Sequence, residues 1–315
     1  MTPSSWRSSE VFEILCDQVA SDHLVCMTGA GISGGLLRRR RLGRGPETLP
    51  GWPQLLGELF ASLRTQMPAD DSADTERLLS SENIGSDELI LAASLIRRAN
   101  PKKFDRRFRR AITSRTGQYS PTHMQLLDLQ PRGIMTFNYD GGHEAALEKA
   151  SRPYVLLNPV ISESELLFRR QIERRLQDFF LLKAHGSTES PAPLVLTTEG
   201  YRDLLVRNPA FRSFVQHLFT NFSFLIVGYG LDDPDFNLFI RTMAHEFGGP
   251  LQKHVVLRRL EDRTAREEVE RHMYGIHTLH MSSFKEIPAV LSAAATTAGP
   301  ELRRTLESCL SPHQE

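Results

Sequence analysis

Gly133-Ile134-Met135-Thr136-Phe137-Asn138-Tyr139-Asp140 decides how the rest of the chain is read. Residues 134–137 form a short apolar run that reads as a buried strand, and it ends abruptly in an amide, an aromatic hydroxyl and a carboxylate. Open α/β sheets present polar groups to a ligand in this way, from the carboxyl ends of their strands. Two further runs end alike. Residues 23–28 pass into Gly29-Ala30-Gly31-Ile32-Ser33-Gly34, and residues 179–184 pass into His185-Gly186-Ser187. A glycine-rich turn that can approach a phosphate, an amide and a histidine are thereby expected on one edge of one sheet.

The bounds are simple. The chain has 315 residues, 40% of them hydrophobic, enough to bury a full core, and its length suggests one large domain or two unequal ones. Lys and Arg together number 38, as do Asp and Glu, so net charge makes no case for nucleic acid or a membrane as the primary partner. Cys16, Cys26 and Cys309 are far apart and form no C-x-x-C pair, so neither a structural zinc nor a disulfide framework is expected. The first 20 residues hold no apolar core of signal-peptide length. No apolar run approaches the ~20 residues of a membrane helix. A soluble, cytoplasmic protein is expected.

Outward from the central stretch, residues 9–20 read as a helix capped by Ser9, and the strand at 23–28 follows. After the glycine turn, a plain dinucleotide fold would reach a second strand with an acid about 20 residues later. Instead Gly51-Trp52-Pro53 opens a mostly helical region, with helices at 52–67, 87–99 and 102–113 and a polar loop holding Asp70, Asp71, Ser72 and Asp74. Further helices are expected at 122–129, 141–150, 163–177, 199–206, 209–220, 234–246, 264–273 and 284–294. Strands are expected at 154–157, 194–197, 223–227, 254–257 and 276–280. Apolar strands alternating with helices imply an α/β fold, a Rossmann-like and mostly parallel sheet, with a helical insertion between the first and second strands. The corresponding division is 1–45 with 118–298 for the sheet domain, 46–117 for the insertion and 299–315 for a C-terminal tail.

Each motif has a plain reading beside the functional one. Gly29-x-Gly31-x-x-Gly34 allows close backbone approach to a pyrophosphate, or it is a ligand-free turn. Asn138 can orient a water or a ribose hydroxyl and Asp140 can hold an amide or hydroxyl, or Asn138 simply caps the next helix. His185 is a general-base candidate, or a satisfied loop histidine. Three such signals at three strand ends favour a site. The basic stretches at 38–44 and 97–115 are solvated faces, or contact surfaces for a subunit, a partner or nucleic acid. Phe60, Met67, Phe104 and Phe108 read as the core of the insertion. Asp232, Asp233 and Asp235 read as the cap of a helix opened by Pro234 rather than as a metal cluster.

Gly29-Ala30-Gly31-Ile32-Ser33, Thr136-Phe137-Asn138-Tyr139-Asp140, His185-Gly186 and Gly228-Tyr229-Gly230-Leu231 resemble, in order, the NAD-binding motifs of the sirtuin family. The resemblance covers roughly residues 20–285. It is nearer to the zinc-less bacterial sirtuin-like domains of anti-phage defence systems, which also show a Trp-Pro element after the glycine loop (Gly51-Trp52-Pro53) and a G-Y-x-L-x-D-P-D element (residues 228–235). It implies that Gly29, Ala30, Gly31 and Ser33 face the phosphates. Asn138 and Asp140 would face the nicotinamide ribose and amide, with His185 as base, and Gly228 and Tyr229 would border the adenosine half. Thr136 and Gly230 fall in the same nucleotide-binding motifs. The catalytic set implied is Asn138, His185 and Asp140, with NAD as substrate and no metal.

The departures from the family are informative. Protein deacylases carry a four-cysteine zinc ribbon after the catalytic histidine, and this sequence has no cysteines there. Their Pro-Asp-Phe-Arg element is replaced by Gly34-Gly35-Leu36-Leu37-Arg38, and Gly230 stands where a serine is usual. Without the ribbon the acyl-lysine cleft lacks a wall and water becomes the acceptor. The resemblance therefore implies an NAD hydrolase that releases nicotinamide and ADP-ribose, an abortive-infection effector. It would work as a homo-oligomer and with a partner sensor chain, such as a HerA-type ATPase or a short Argonaute. Direct nucleic-acid contact stays open, and no membrane contact is expected. The alternatives are an NAD-dependent protein deacylase, a non-catalytic NAD or ADP-ribose-binding module and a purely structural subunit.

Overall fold

The computed structural model describes residues 5–38, 47–81, 84–161, 164–231 and 234–310, apart from the side chains of 5, 234–236, 238–239 and 299–310. Helix α1 (Glu10–Ala20) starts where Ser9 accepts the Phe12 N–H at 3.2 Å, and its first turn carries two acids, the sign a helix N-terminus favours. It leads into β1 (Leu24–Thr28), buried along its whole length. The chain is then helical through α2 (Trp52–Leu63), α3 (Ala69–Leu79), α4 (Ser86–Ala99), α5 (Pro101–Ile112) and α6 (Pro121–Asp128). Next come β2 (Gly133–Thr136), α7 (Gly142–Lys149), β3 (Val155–Leu157), α8 (Ser164–Glu173) and β4 (Phe180–Lys183). After α9 (Thr198–Arg207) and α10 (Pro209–Asn221), three strand–helix units close the fold: β5 (Ser223–Val227) with α11 (Pro234–Phe247), β6 (His254–Arg259) with α12 (Arg266–Tyr274), and β7 (Ile276–Met281) with α13 (Ile287–Leu310).

The strands form one seven-stranded sheet in the order β3-β4-β2-β1-β5-β6-β7, and every neighbouring pair is parallel. This is the expected α/β, Rossmann-like architecture, with no antiparallel strand in the sheet. The chain leaves β1 on one side, through β2, β4 and β3, and returns to β5 on the other. The order therefore reverses between β1 and β5, and a crevice at such a reversal is where open α/β sheets hold ligands. Register sharpens this. Thr28 is level with Thr136 on one side and Val227 on the other, and Thr136 is level with Lys183. Four strands thus end in one row.

Alternation along β1 sends Val25 and Met27 into one core and Leu24 and Cys26 into another, so both faces of the sheet are covered. A third core joins α2, α4 and α5. Leu56, Leu63, Phe104 and Phe108 are fully buried there, together with Tyr139 and Leu196 from outside those helices. Burying a phenylalanine contributes about 1.5–3 kcal/mol, so this core fixes the inserted helices against the end of β2.

Two expectations need correction. The polar stretch with Asp70, Asp71, Ser72 and Asp74 is helix α3, because Asp70 and Asp71 lie in its favourable first turn and Asp71 and Thr75 are buried against the rest. Residues 194–197 are not a strand. Val195 and Leu196 are buried as a loop over the strand ends, and Thr197 caps α9 by accepting the Gly200 N–H at 3.4 Å. Helix α13 runs on past residue 298 to Leu310. Among the described residues, no helix is long and apolar enough to cross a membrane.

Candidate active site at the carboxyl edge of the sheet

Beyond β1 the backbone makes a single 3₁₀ turn over residues 30–32, with no α-helix following it directly. Gly29 N–H donates to the Val227 carbonyl at 3.2 Å and Gly31 N–H to the Gly228 carbonyl at 2.9 Å. A Cβ on Gly29 would stand 2.5 Å from Gly228 O, and one on Gly31 would stand 2.7 Å from Gly228 Cα. Gly228 itself is left-handed at φ +66°, with Ile32 N only 2.7 Å from where its Cβ would lie. These glycines let two strand-end turns interlock. Gly34 differs, since a Cβ there would meet nothing within 4 Å and the residue faces the cavity described below.

Asn138 ties β2 to that loop. Its Nδ2 donates to Gly29 O at 2.9 Å and to Ser33 Oγ at 3.0 Å, while Thr136 Oγ1 accepts its backbone N–H at 3.1 Å. Both amide hydrogens are thereby used, and Oδ1 remains as an acceptor for a ligand. Asn138 does not cap α7, whose N-cap is Gly141; just ahead of it, Asp140 Oδ1 accepts the Gly142 N–H at 2.9 Å in an Asx turn.

Under this turn lies a buried polar cluster that sequence reasoning missed. Lys183 is fully buried, pairs with Glu144 at 3.0 Å and donates to the Asp140 carbonyl, so its charge is compensated where it holds the turn. Thr28 Oγ1 and His143 Nε2 are 2.8 Å apart. His123 Nδ1 accepts the Ser120 N–H at 3.1 Å, and its ring centre lies 4.6 Å from that of His143. Burial lowers the His123 pKa to about 4; the nearby Lys183 charge acts in the same direction and Asp140 opposes it. Burial, aided by His123 and Lys183, also pushes His143 well below the usual range. Both imidazoles are neutral at neutral pH. The only sign in the sequence is polar residues inside otherwise apolar elements.

His185 follows β4 and is 3% exposed. Its ring is bracketed edge-on by Phe137 at 5.0 Å and Tyr201 at 5.1 Å, with Tyr139 at 6.1 Å. Phe137 in turn stacks on Tyr229 at 4.4 Å. The next residue, Gly186, is left-handed at φ +90°. The His185 carbonyl accepts the Val195 N–H at 3.0 Å, Tyr139 OH donates to Val195 O at 2.7 Å, and the Thr188 N–H donates to Tyr139 O at 2.9 Å. A fixed imidazole beside a cavity can take a proton from a hydroxyl or water that comes within hydrogen-bond distance.

A cavity of about 340 Å³ joins these parts. Its sheet side is formed by Gly29, Ala30, Ser33 and Gly34 after β1, by residues 137–140 after β2, by His185 after β4, and by residues 228–230 after β5. Thr136 and Gly31 do not line it; one lies beneath Asn138 and the other against Gly228. The far wall is Trp52 and Leu55 of α2, Ser86 of α4, Ile112 of α5 and the 49–51 segment. Trp52 meets Tyr139 edge-on at 6.5 Å, and Phe108 does so at 5.4 Å. Apart from the Gly51-Trp52-Pro53 element, nothing in the sequence marked these helices as cavity wall.

Among the described residues, no group of three or more His, Cys, Asp or Glu could hold a metal ion. Asp232, Asp233 and residues 39–44 lie outside the described residues, as does the side chain of Asp235. Arg38 is paired, to Glu58 at 2.9 Å and Glu47 at 3.5 Å. No curated protein matches the chain in sequence. Residues 132–279 match the family model described as a SIR2-like domain, a stretch that holds Asn138, Asp140, His185 and Gly228 but neither the glycine loop nor the inserted helices. That match supports a sirtuin-like family for this part of the chain and an NAD-related function for the site it contains.

Proposed function

We propose that the chain is an NAD hydrolase, cleaving NAD to nicotinamide and ADP-ribose with water as the acceptor. One observation carries the reading: Asn138, whose Nδ2 is committed to Gly29 O and Ser33 Oγ, lines one cavity together with Asp140, His185 and the glycine loop. Its volume of about 340 Å³ falls within the ~300–1,000 Å³ of small-molecule sites. Ala30, Ser33 and Gly34 offer open backbone and a hydroxyl to phosphates. Asn138 Oδ1 accepts from a ribose hydroxyl or an attacking water.

The reaction breaks the bond between ribose C1′ and the nicotinamide nitrogen, and the bonding pair leaves with nicotinamide. Water adds at C1′, and His185 takes the proton it releases. Positioning and the shielding of developing charge supply most of the rate. Activity is held in check by assembly, as a homo-oligomer or with a partner sensor chain such as a HerA-type ATPase or a short Argonaute, in an anti-phage setting. This part rests on the sequence resemblance.

Incubating the purified chain with NAD, alone and with candidate partners, while following nicotinamide by chromatography tests the reading. Release that depends on His185 supports it. Deacetylation of an acyl-lysine peptide with NAD would make the protein a deacylase instead. Nucleotide binding without release under every condition would make it a binding module. A fully active monomer with no partner would remove the regulatory part.

A further inference from the structure

We infer that Arg109 is a positioning residue for His185, and that it fastens the inserted helices to the loop that follows that histidine. The inference deepens the NAD-hydrolase reading and rests on it. Arg109 lies on α5 and reaches out of the insertion to residues 187–192. Its Nη1 donates to Ser190 O at 2.6 Å and Ser187 O at 3.2 Å, and its Nη2 donates to Ala192 O. One planar guanidinium thus satisfies three carbonyls of a loop that no strand or helix supports. Thr188 anchors the near end of the loop, its N–H and hydroxyl donating to Tyr139 O at 2.9 and 3.0 Å. Short turns such as Ala192 N–H to Ser190 Oγ at 3.2 Å shape the rest, so Arg109 is the tie from the loop to α5.

Both ends of the fastening lead to the site. The loop begins at His185 and Gly186 and returns to the Val195 N–H bond on the His185 carbonyl. On the helix side, Phe108 packs edge-on against Tyr139 at 5.4 Å, and Ile112 lines the cavity. Residues 108, 109 and 112 share one face of α5. This face therefore supplies a ring against Tyr139, a clamp on the histidine loop and a piece of the wall. Phe104 and Phe108 root the helix in its own core, so the clamp has a rigid base. Shifting α5 would move the loop and the imidazole with it.

The test compares wild type with Arg109→Ala and Arg109→Lys, using Arg107→Ala, exposed on the same helix, as control. Two readouts are taken: amide hydrogen exchange over residues 186–195, and nicotinamide release from NAD with the activating partner if one is required. Arg109→Ala is expected to exchange faster across the loop and to lose about 10- to 100-fold in kcat, with KM little changed. Guanidinium ion added in solution should restore part of that rate in Arg109→Ala and none in Arg107→Ala. Lysine, a point donor, should recover less than half of the loss. Wild-type exchange in the loop, or wild-type turnover, in Arg109→Ala overturns the inference. If wild type releases no nicotinamide under any condition, the hydrolase reading fails, and the exchange comparison alone decides the clamp. Should Arg109→Ala not fold, Arg109→Lys carries both readouts.

Discussion

The sheet edge and the inserted helices face each other across one cavity, yet they are held by different means. On the sheet side, geometry is written into the backbone. Parallel register brings four strand ends level, and Gly29, Gly31 and Gly228 interlock at distances that exclude any Cβ. On the helical side, geometry comes from side chains: Phe104 and Phe108 in the core, Trp52 against Tyr139, and a guanidinium on three carbonyls. Backbone devices tolerate few residues and leave short, legible motifs. Packing devices tolerate many and leave few, Gly51-Trp52-Pro53 among them.

The contrast can be broken or sharpened by experiment. On the sheet side, His185→Ala or Asn138→Ala is expected to lower nicotinamide release by about 10²–10⁴-fold in a chain that still folds, Asn138→Ala also losing about 1–3 kcal/mol with its bonds to Gly29 O and Ser33 Oγ. Parental turnover in either variant would remove the chemistry from that edge. On the helical side, Phe108→Ala should cost about 3–5 kcal/mol in denaturant unfolding, because a fully buried ring leaves a void beside Tyr139. A loss below about 1 kcal/mol would mean the inserted helices rest only loosely on the sheet.

Acid separates the two sides in another way. His123 and His254 titrate at about 4 and about 3 in the folded chain, both lowered chiefly by burial, and His143 is lowered as well. His254 Nδ1 accepts the Phe224 N–H at 3.1 Å, a bond that protonation would destroy. These folded-state values lie below the unfolded value near 6.5, so the unfolded chain binds more protons between the two. Stability is therefore full above about pH 6.5 and falls as pH drops toward 4, by up to about 1.4 kcal/mol per pH unit for each histidine. Residues 46–117 contain no histidine. Hydrogen exchange at mildly acid pH should loosen α6, α7 and β6 before α2–α5, and the reverse order would contradict the placement of these imidazoles.

The smallest effects compare two glycines. Gly228→Ala places a Cβ 2.7 Å from Ile32 N at φ +66° and should destabilise the fold by more than about 1 kcal/mol. Gly34→Ala meets nothing within 4 Å, so stability should stay within about 0.5 kcal/mol, while KM for NAD rises because the methyl enters the cavity. Equal melts for the two variants would dissolve the distinction between interlock and lining.

Much of the sheet edge was legible because strand and turn follow local rules. The runs ending at Thr28, Thr136 and Val227 announced themselves, and so did the polar groups after them. The glycines were found for a partly different reason, since Gly31 packs on Gly228 rather than lining the cavity. What stayed hidden depends on distant partners. Lys183 is an ordinary strand-end lysine until Glu144 and the Asp140 carbonyl are placed around it. Arg109 sits in an arginine-rich run that reads as a solvated face, and only the path of residues 187–192 sets it apart. Residues 194–197 looked like a strand because burial selects apolar side chains, whether the backbone above them is paired or looped.

The reversal of strand order also bears on synthesis. Gly29 takes its place by donating to Val227, and Gly31 by donating to Gly228, so the first turn made waits for almost the last piece of the site to leave the ribosome. A nascent chain that has emitted β1, β2 and β4 holds the amide and the imidazole but lacks the scaffold for its phosphate cradle. Translation itself thus delays assembly of the nucleotide pocket until β5 has docked.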